Sequence, residues 1–145
     1  MTQEEKRLLE IELATRSQYG VICAIKPVAP FHDLEFGGKQ KIKNICIREN
    51  DSIFTFGPYE VHGVENIKPY LRPLSSMTEE EKEYIKNRWC YEDWGDIYNF
   101  LNHYQIDAGD AYSFTDWLNE HHFDYRGLIE KGLALEAPVD MYRND

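Results

Sequence analysis

Two prolines, Pro69 and Pro73, stand four residues apart in the segment IKPYLRPLSS, residues 67–76. Proline fixes its own backbone angle, and the residue before a proline is pushed out of the helical region. The segment is therefore predicted to be an extended connector. Paired prolines also occur in ligands of SH3-type grooves, but a connector needs only the same backbone stiffness. The connector separates a strand-like half of the chain from a helical half.

The half before the connector predicts one helix followed by short strands. Thr2 and Glu5 have the spacing of a capping box, and apolar residues follow on one side, which predicts a helix over residues 2–15. Four segments have the composition of strands, namely residues 19–28, 41–48, 52–57 and 59–64. The turn-rich letters ENDS join the second and third of these segments, which predicts a hairpin. A loop is expected over residues 29–38, and the strands predict a small, curled antiparallel sheet of the SH3-like kind.

The half after the connector is typical of helices. The stretch from Thr78 to Glu81 has the form of a capping box with three carboxylates in the first turn. Ile85 and Trp89 follow four residues apart, as a single buried face requires. A second helix is predicted over residues 92–104.

Further helix signals follow closer to the C-terminus. The letters DAGD, residues 107–110, predict a break, after which Ser113 with Asp116 caps a third helix. That helix carries the apolar residues Phe114, Trp117 and Leu118. Asp124 is predicted to cap a last short helix that ends at Gly132.

These elements together predict an α+β fold with an N-terminal helix, a small antiparallel sheet and a mostly helical C-terminal half. The predicted division is residues 1–72 for the helix and sheet and residues 73–145 for the acidic, aromatic-rich helical region. A chain of 145 residues has the length of one ordinary domain, so the two regions are expected to pack as one compact unit.

The charge of the chain is concentrated in its second half. Residues 1–72 hold ten basic and ten acidic residues, whereas residues 73–145 hold six basic and sixteen acidic residues. Such an acidic region repels phosphate backbones, which argues against direct binding of nucleic acid. It suits either a solvated surface or docking onto a basic surface of another protein. The sequence has no apolar run of the roughly 20 residues that a membrane helix needs, so no membrane partner is predicted.

The sequence gives weak support to metal binding and catalysis. The neighbouring His121 and His122 would point about 100° apart on a helix, so they cannot readily share one ion. The pair is instead expected to end the third helix, where an imidazole can meet free carbonyl groups and one ring can pack beside Trp117. No nucleophile or phosphate-binding motif is present, so no catalytic residue, metal or cofactor is predicted.

Three cysteines, Cys23, Cys46 and Cys90, lack the spacing of a zinc site, which favours reduced thiols in a cytoplasmic protein. Cys90 stands between Trp89 and Tyr91, so an inert buried thiol is favoured over a nucleophile. A hydrolase whose residues meet only in space stays open as an alternative.

Aromatic residues are unusually dense over residues 84–125, with twelve in 42 positions. Tyrosine and tryptophan dominate binding hot spots, so part of this set predicts a surface for a partner protein. The contact candidates are Trp89, Trp94, Tyr98 and Tyr104. The alternative is a pocket that sequesters a small molecule such as a signalling nucleotide, for which Arg126 with Tyr125 is the nearest candidate.

Two segments, IKPYLRPLSSMTEEEKE at residues 67–83 and DWLNEHHFDYRGLIEKGLALEAP at residues 116–138, resemble a family of small uncharacterised proteins. These proteins are encoded by phages, prophages and related mobile elements of gut Bacteroidales, and YGVIC at residues 19–23 matches the same pattern. The resemblance covers about 40 of the 145 residues and carries over no catalytic residue. It implies a cytoplasmic accessory protein inside a bacterial host, and such proteins often occupy a host protein, including components of antiphage defence. The sequence thus predicts a non-enzymatic protein that binds a host protein with a basic surface.

Overall fold

The computed structural model describes residues 1–26, 36–47, 52–57, 60–89 and 108–143. The chain divides into a first unit, Met1–Tyr70 with Gly132–Leu135, and a second unit, Leu71–Lys131 with Glu136–Asp145. Helix α1 (Gln3–Ser17) is followed by antiparallel strands and then by further helices. The fold is therefore α+β, as the sequence predicts.

Helix α1 begins at the capping box predicted from the sequence. The Thr2 side chain accepts a hydrogen bond from the Glu5 amide at 3.1 Å, and the Glu5 carboxylate accepts one from the Thr2 amide at 3.0 Å. Both partners satisfy amides that have no acceptor within the helix. The buried side of the helix places Leu9 and Leu13 in the core of the first unit.

The strands of the first unit form two groups rather than the one sheet expected. Strand β1 (Ile22–Ile25) pairs antiparallel with β2 (Gly37–Lys41) on one side and with the start of β6 (Ile67–Pro73) on the other. The second group is the antiparallel series β3 (Asn44–Ile47), β4 (Ser52–Gly57) and β5 (Glu60–Gly63). This series confirms the predicted hairpin, with Asn44 opposite Thr55; its turn lies outside the described residues.

Two sequence predictions in the first half are wrong. Gly37 and Gly38, predicted to end the loop over residues 29–38, instead begin strand β2, because the backbone of Gly37–Lys41 pairs with β1. The φ of +77° at Gly38 suits glycine. The proline segment is extended, as predicted, but it is a strand of the sheet rather than a connector. Its side chains alternate between buried and half-buried positions from Ile67 to Leu71, as in a strand with one side packed on the core.

The described part of the second unit contains two α-helices and a short parallel strand. Helix α2 (Glu79–Trp89) and helix α3 (Ala108–Glu120) precede β7 (Phe123–Asp124), which pairs parallel with the end of β6 through Arg72 and Phe123. The two-residue strand β8 (Leu135–Glu136) also pairs with β6. The described core of the unit includes a cluster of buried side chains, namely Met77, Ile85, Trp89, Phe114, Leu118, Phe123 and Tyr125. The buried faces predicted for these helices are confirmed.

Two helix boundaries in the second unit differ from the prediction. Helix α3 begins at Ala108 instead of breaking at residues 107–110, so Ser113 lies inside the helix and its hydroxyl donates to the Asp110 carbonyl at 3.2 Å. The Asp124 carboxylate accepts from the amides of Leu128 and Ile129, both at 2.9 Å, but the chain that follows forms turns rather than a helix. The helix predicted over residues 92–104 lies outside the described residues.

Candidate functional site

The structure places Trp89, the first predicted contact residue, in the core of the second unit. Its ring lies 4.9 Å from that of Phe114, and its indole N–H donates to the Ser113 hydroxyl at 3.0 Å. Only 9% of the residue is exposed, so it supports the helices and offers a partner little area. Its contact role stays a prediction. The other three candidates, Trp94, Tyr98 and Tyr104, lie outside the described residues.

The alternative pair, Tyr125 and Arg126, is divided between core and surface. Tyr125 is buried and donates its hydroxyl to the Asn119 side chain at 3.1 Å. Arg126 is exposed, and its guanidinium carbon lies 5.6 Å from the centre of the Tyr125 ring. Because Tyr125 is part of the core cluster, the exposed member of the pair is Arg126. A nucleotide pocket at this pair stays a prediction.

The histidine pair ends helix α3, as the sequence predicts. The His121 ring stacks on Trp117 with 4.1 Å between ring centres, and its Nδ1 lies 2.9 Å from the Trp117 carbonyl oxygen. His122 adopts a φ of +64° and stacks on Tyr142 at 3.6 Å. The two rings thus pack against different aromatic partners. Within the described ranges, no group of three or more His, Cys, Asp or Glu residues could hold a metal ion.

A network around Arg72 ties the elements of the second unit together. The guanidinium donates to both oxygens of the Glu81 carboxylate, at 2.8 and 2.6 Å, and lies 4.1 Å above the centre of the Phe123 ring. Glu81 also accepts from the Thr78 amide at 3.0 Å, which closes the capping box of α2. Strand β6, helix α2 and strand β7 therefore share one charged contact. The sequence showed the capping box but not the arginine that completes it.

The Glu81 carboxylate is ionised more readily than an isolated one. Partial burial raises its pKa, but the hydrogen bonds from Arg72 and Thr78 and the positive charge of Arg72 outweigh that effect. Its pKa therefore lies below the ordinary value of 4.5. The network remains charged in neutral solution.

Outside the core, helices α2 and α3 present aromatic rings to solvent. Tyr84 is 50% exposed, and its ring stacks on that of Trp117 with 5.7 Å between centres and 16° between planes. Tyr112 is 73% exposed. On α3, Tyr112, Asp116 and Glu120 recur every four residues, and residues at that spacing are neighbours on a helix surface. Each of these three residues is exposed.

We call this surface the acidic aromatic face and define it by its members, namely Tyr84, Tyr112, Asp116, Trp117 and Glu120. Helix α3 contains three acidic residues and no Lys or Arg. Exposed rings combined with carboxylates can stack on a cation and pair with it at the same time. The face is therefore suited to a positively charged partner. The sequence indicated both the acidity and the aromatic density of this region, but the contact residues predicted from it were other aromatic residues.

The two described cysteines differ in environment. Cys23 is fully buried in β1, and burial raises the pKa of its thiol to about 12. A thiol with that pKa is protonated at neutral pH and is a poor nucleophile. Cys46 on β3 is exposed. Neither residue has the surroundings of an activated nucleophile among the described contacts.

Among the described residues, no helix has both the length and the apolar character needed to cross a membrane. In comparisons with known proteins, no family model, no curated protein and no solved structure matches the chain.

Proposed function

We propose that this chain is a non-catalytic protein that binds another protein, one with a basic surface, through the acidic aromatic face. The observation that carries the proposal is the exposure of Tyr84 on α2 and of Tyr112 on α3, at 50% and 73%, together with the exposed carboxylates Asp116 and Glu120 on α3. Exposed tyrosines offer large, rigid contact areas at a low cost in conformational entropy. Carboxylates around them select a positive partner and repel nucleic acid.

The core beneath the face supports this reading. Tyr84 stacks on Trp117, and Trp117 in turn lies 5.9 Å from the buried Phe123 ring. A ring supported from below keeps its orientation before binding, so less entropy is lost when the partner arrives. Tyr84 is thus preorganised for binding by its contact with Trp117.

The resemblance of residues 67–83 and 116–138 to proteins of phages and mobile elements extends the proposal to a cellular setting. In that setting the chain is an accessory protein in the cytoplasm of a bacterial host, and its partner is a host protein. Occupying a basic surface would inhibit that partner, and components of antiphage defence are the target class that we propose.

The proposal is tested by affinity purification of the tagged protein from host lysate, with variants processed in parallel. We expect one stoichiometric protein with the wild type and a loss of at least about tenfold with Tyr112→Ala, because central tyrosines at interfaces contribute roughly 2 kcal/mol. Val139→Ala is the matched control, since Val139 is 86% exposed and lies outside α2 and α3. Both variants should keep their thermal stability, since exposed substitutions shift the free energy of unfolding by only about 0.5 kcal/mol.

Two results would contradict the proposal. In the first, the captured protein is retained equally by Tyr112→Ala, Tyr84→Leu and Val139→Ala. In the second, no protein is captured and the native mass of the purified chain carries an addition of the size of a nucleotide. The second result would favour a small-molecule pocket and would direct attention to Arg126.

A further inference from the structure

The second unit shows on its own residues how it holds a guanidinium group. The Arg72 guanidinium carbon lies over the Phe123 ring, 4.1 Å from its centre, while both terminal nitrogens donate to the Glu81 carboxylate. Arg88 repeats the arrangement more loosely, with its guanidinium 5.3 Å from the Trp89 ring and 4.0 Å from the Asp110 carboxylate. Both sites combine one aromatic ring with one carboxylate.

The acidic aromatic face offers the same combination on the outside of the unit. Tyr112 and Asp116 are neighbours on α3 because they are four residues apart, and Trp117 and Glu120 are neighbours because they are three apart. Within the described residues, neither Asp116 nor Glu120 takes part in an ion pair. The face therefore has rings and carboxylates side by side, with no guanidinium from the described chain on the carboxylates.

We infer that the partner presents arginine side chains to this face, with guanidinium groups stacked on Tyr112 or on the Tyr84–Trp117 pair and bonded to Asp116 or Glu120. This inference rests on the proposed function and specifies the chemistry of the partner. Arginine fits better than lysine because its planar group stacks on a ring and donates two parallel hydrogen bonds to a carboxylate. The lysine ammonium is a compact, strongly hydrated charge, so it gains less from the rings.

The test uses two fluorescent glycine-spaced peptides of equal length and charge, one with arginine and one with lysine. Fluorescence anisotropy at low salt gives the dissociation constant of each peptide for the full chain. We expect the arginine peptide to bind about fivefold more tightly, as one or two cation–π contacts would provide. Tyr112→Leu or Tyr84→Leu should remove most of this preference, according to which ring stacks on the guanidinium, while the lysine peptide binds almost as before. Glu120→Gln should weaken both peptides, and the control Glu4→Gln, an exposed carboxylate of α1, should weaken neither.

Three outcomes would overturn the inference. These are equal affinity for the two peptides, an arginine preference that survives both Tyr112→Leu and Tyr84→Leu, and a dimer in native mass that Tyr112→Leu dissociates. The third outcome would assign the face to a second copy of the chain.

Equal peptide affinities, together with a host protein that the wild type captures and Tyr112→Ala does not, would refute the arginine inference alone. Capture that is independent of the face would refute the proposed function as well. Circular dichroism of each leucine variant verifies that the fold is intact.

Discussion

Substitution of Arg72 tests whether its contact with Glu81 stabilises the second unit. We choose the substitution Arg72→Lys, because it keeps the positive charge and removes the planar fork. Lysine can still donate to one oxygen of Glu81, but it cannot bond to both oxygens and stack on Phe123 at the same time. The change therefore separates geometry from charge.

The expected cost follows from the contacts that are lost. One charge-assisted hydrogen bond contributes about 1.5 kcal/mol, and stacking of the guanidinium on Phe123 contributes about 0.5 kcal/mol. The Arg72 and Glu81 side chains are 21% and 16% exposed, so solvent screens the pair only in part. We expect Arg72→Lys to lower the free energy of unfolding by about 2 kcal/mol, and Arg72→Met by about 3 kcal/mol because it leaves the carboxylate without its cation.

The assay is urea unfolding followed by circular dichroism, arranged as a double-mutant cycle of Arg72→Met with Glu81→Gln. Glutamine is accepted at the third position of a capping box, so Glu81→Gln removes the ion pair while the helix start is kept. The control cycle uses Glu79 and Lys82 on the same helix, whose side chains are 91% and 34% exposed. We expect a coupling of about 2 kcal/mol for the first pair and less than about 0.5 kcal/mol for the second.

The pH dependence gives an independent measurement of the same pair. The pKa of Glu81 is lowered in the folded state, so the folded chain binds this proton more weakly than the unfolded chain does. The pair therefore stabilises the protein above the ordinary carboxyl pKa of 4.5, and the contribution is lost as the pH falls through the lower folded pKa. Between about pH 5 and pH 3, the free energy of unfolding should fall less steeply in Arg72→Met than in the wild type. Identical slopes, or equal couplings in the two cycles, would show that the Arg72–Glu81 pair does not stabilise the fold.

Three further predictions concern single residues. Mass spectrometry after brief alkylation at neutral pH should find Cys46 modified, and Cys23 modified only in denaturant. Because burial raises the pKa of the Cys23 thiol to about 12, the stability that this residue contributes should decline as the pH rises above the ordinary thiol pKa of 9.0. His122→Val should unfold at lower urea than His122→Asn, because a β-branched residue adopts the φ of +64° at a higher cost than asparagine does. Phe114→Ala should lower the free energy of unfolding by about 3 to 5 kcal/mol, because it opens a cavity in the core cluster; a loss below about 1 kcal/mol would show that the cluster is not the core.

Local signals in the sequence were sufficient where the structure depends on nearby residues. The capping boxes at Thr2 and Thr78 predicted the starts of α1 and α2, because a cap is formed within one turn of the chain. The hairpin of β3 and β4 was predicted because its strands are short, apolar and separated by a few turn residues. One ring of the histidine pair was predicted to pack beside Trp117, and the structure identifies that ring as His121.

Signals were insufficient where partners are distant in the chain. The stretch Gly37–Lys41 has glycine and polar residues, and only its pairing with β1 makes it a strand. Arg72 meets Phe123 across 51 positions, a pairing that no local pattern encodes. The aromatic density indicated that the second unit could bind a partner. It could not distinguish the buried Trp89 from the exposed Tyr112, because buried and exposed rings both occur at helical spacing in this region.

The buried network and the exposed face are connected, and this connection determines how the binding experiments must be interpreted. Arg72 contacts Phe123, Phe123 lies beside Trp117, and Trp117 supports Tyr84. A substitution at Arg72 can therefore weaken binding through loss of support rather than loss of contact. The two causes differ in temperature dependence, because Arg72→Lys lowers stability and should regain affinity on cooling, whereas Tyr112→Leu leaves stability intact and should bind weakly at every temperature. Recovery of binding by cooled Arg72→Lys but not by Tyr112→Leu would identify Tyr112 as a contact residue and Arg72 as a support of the Tyr84–Trp117 pair.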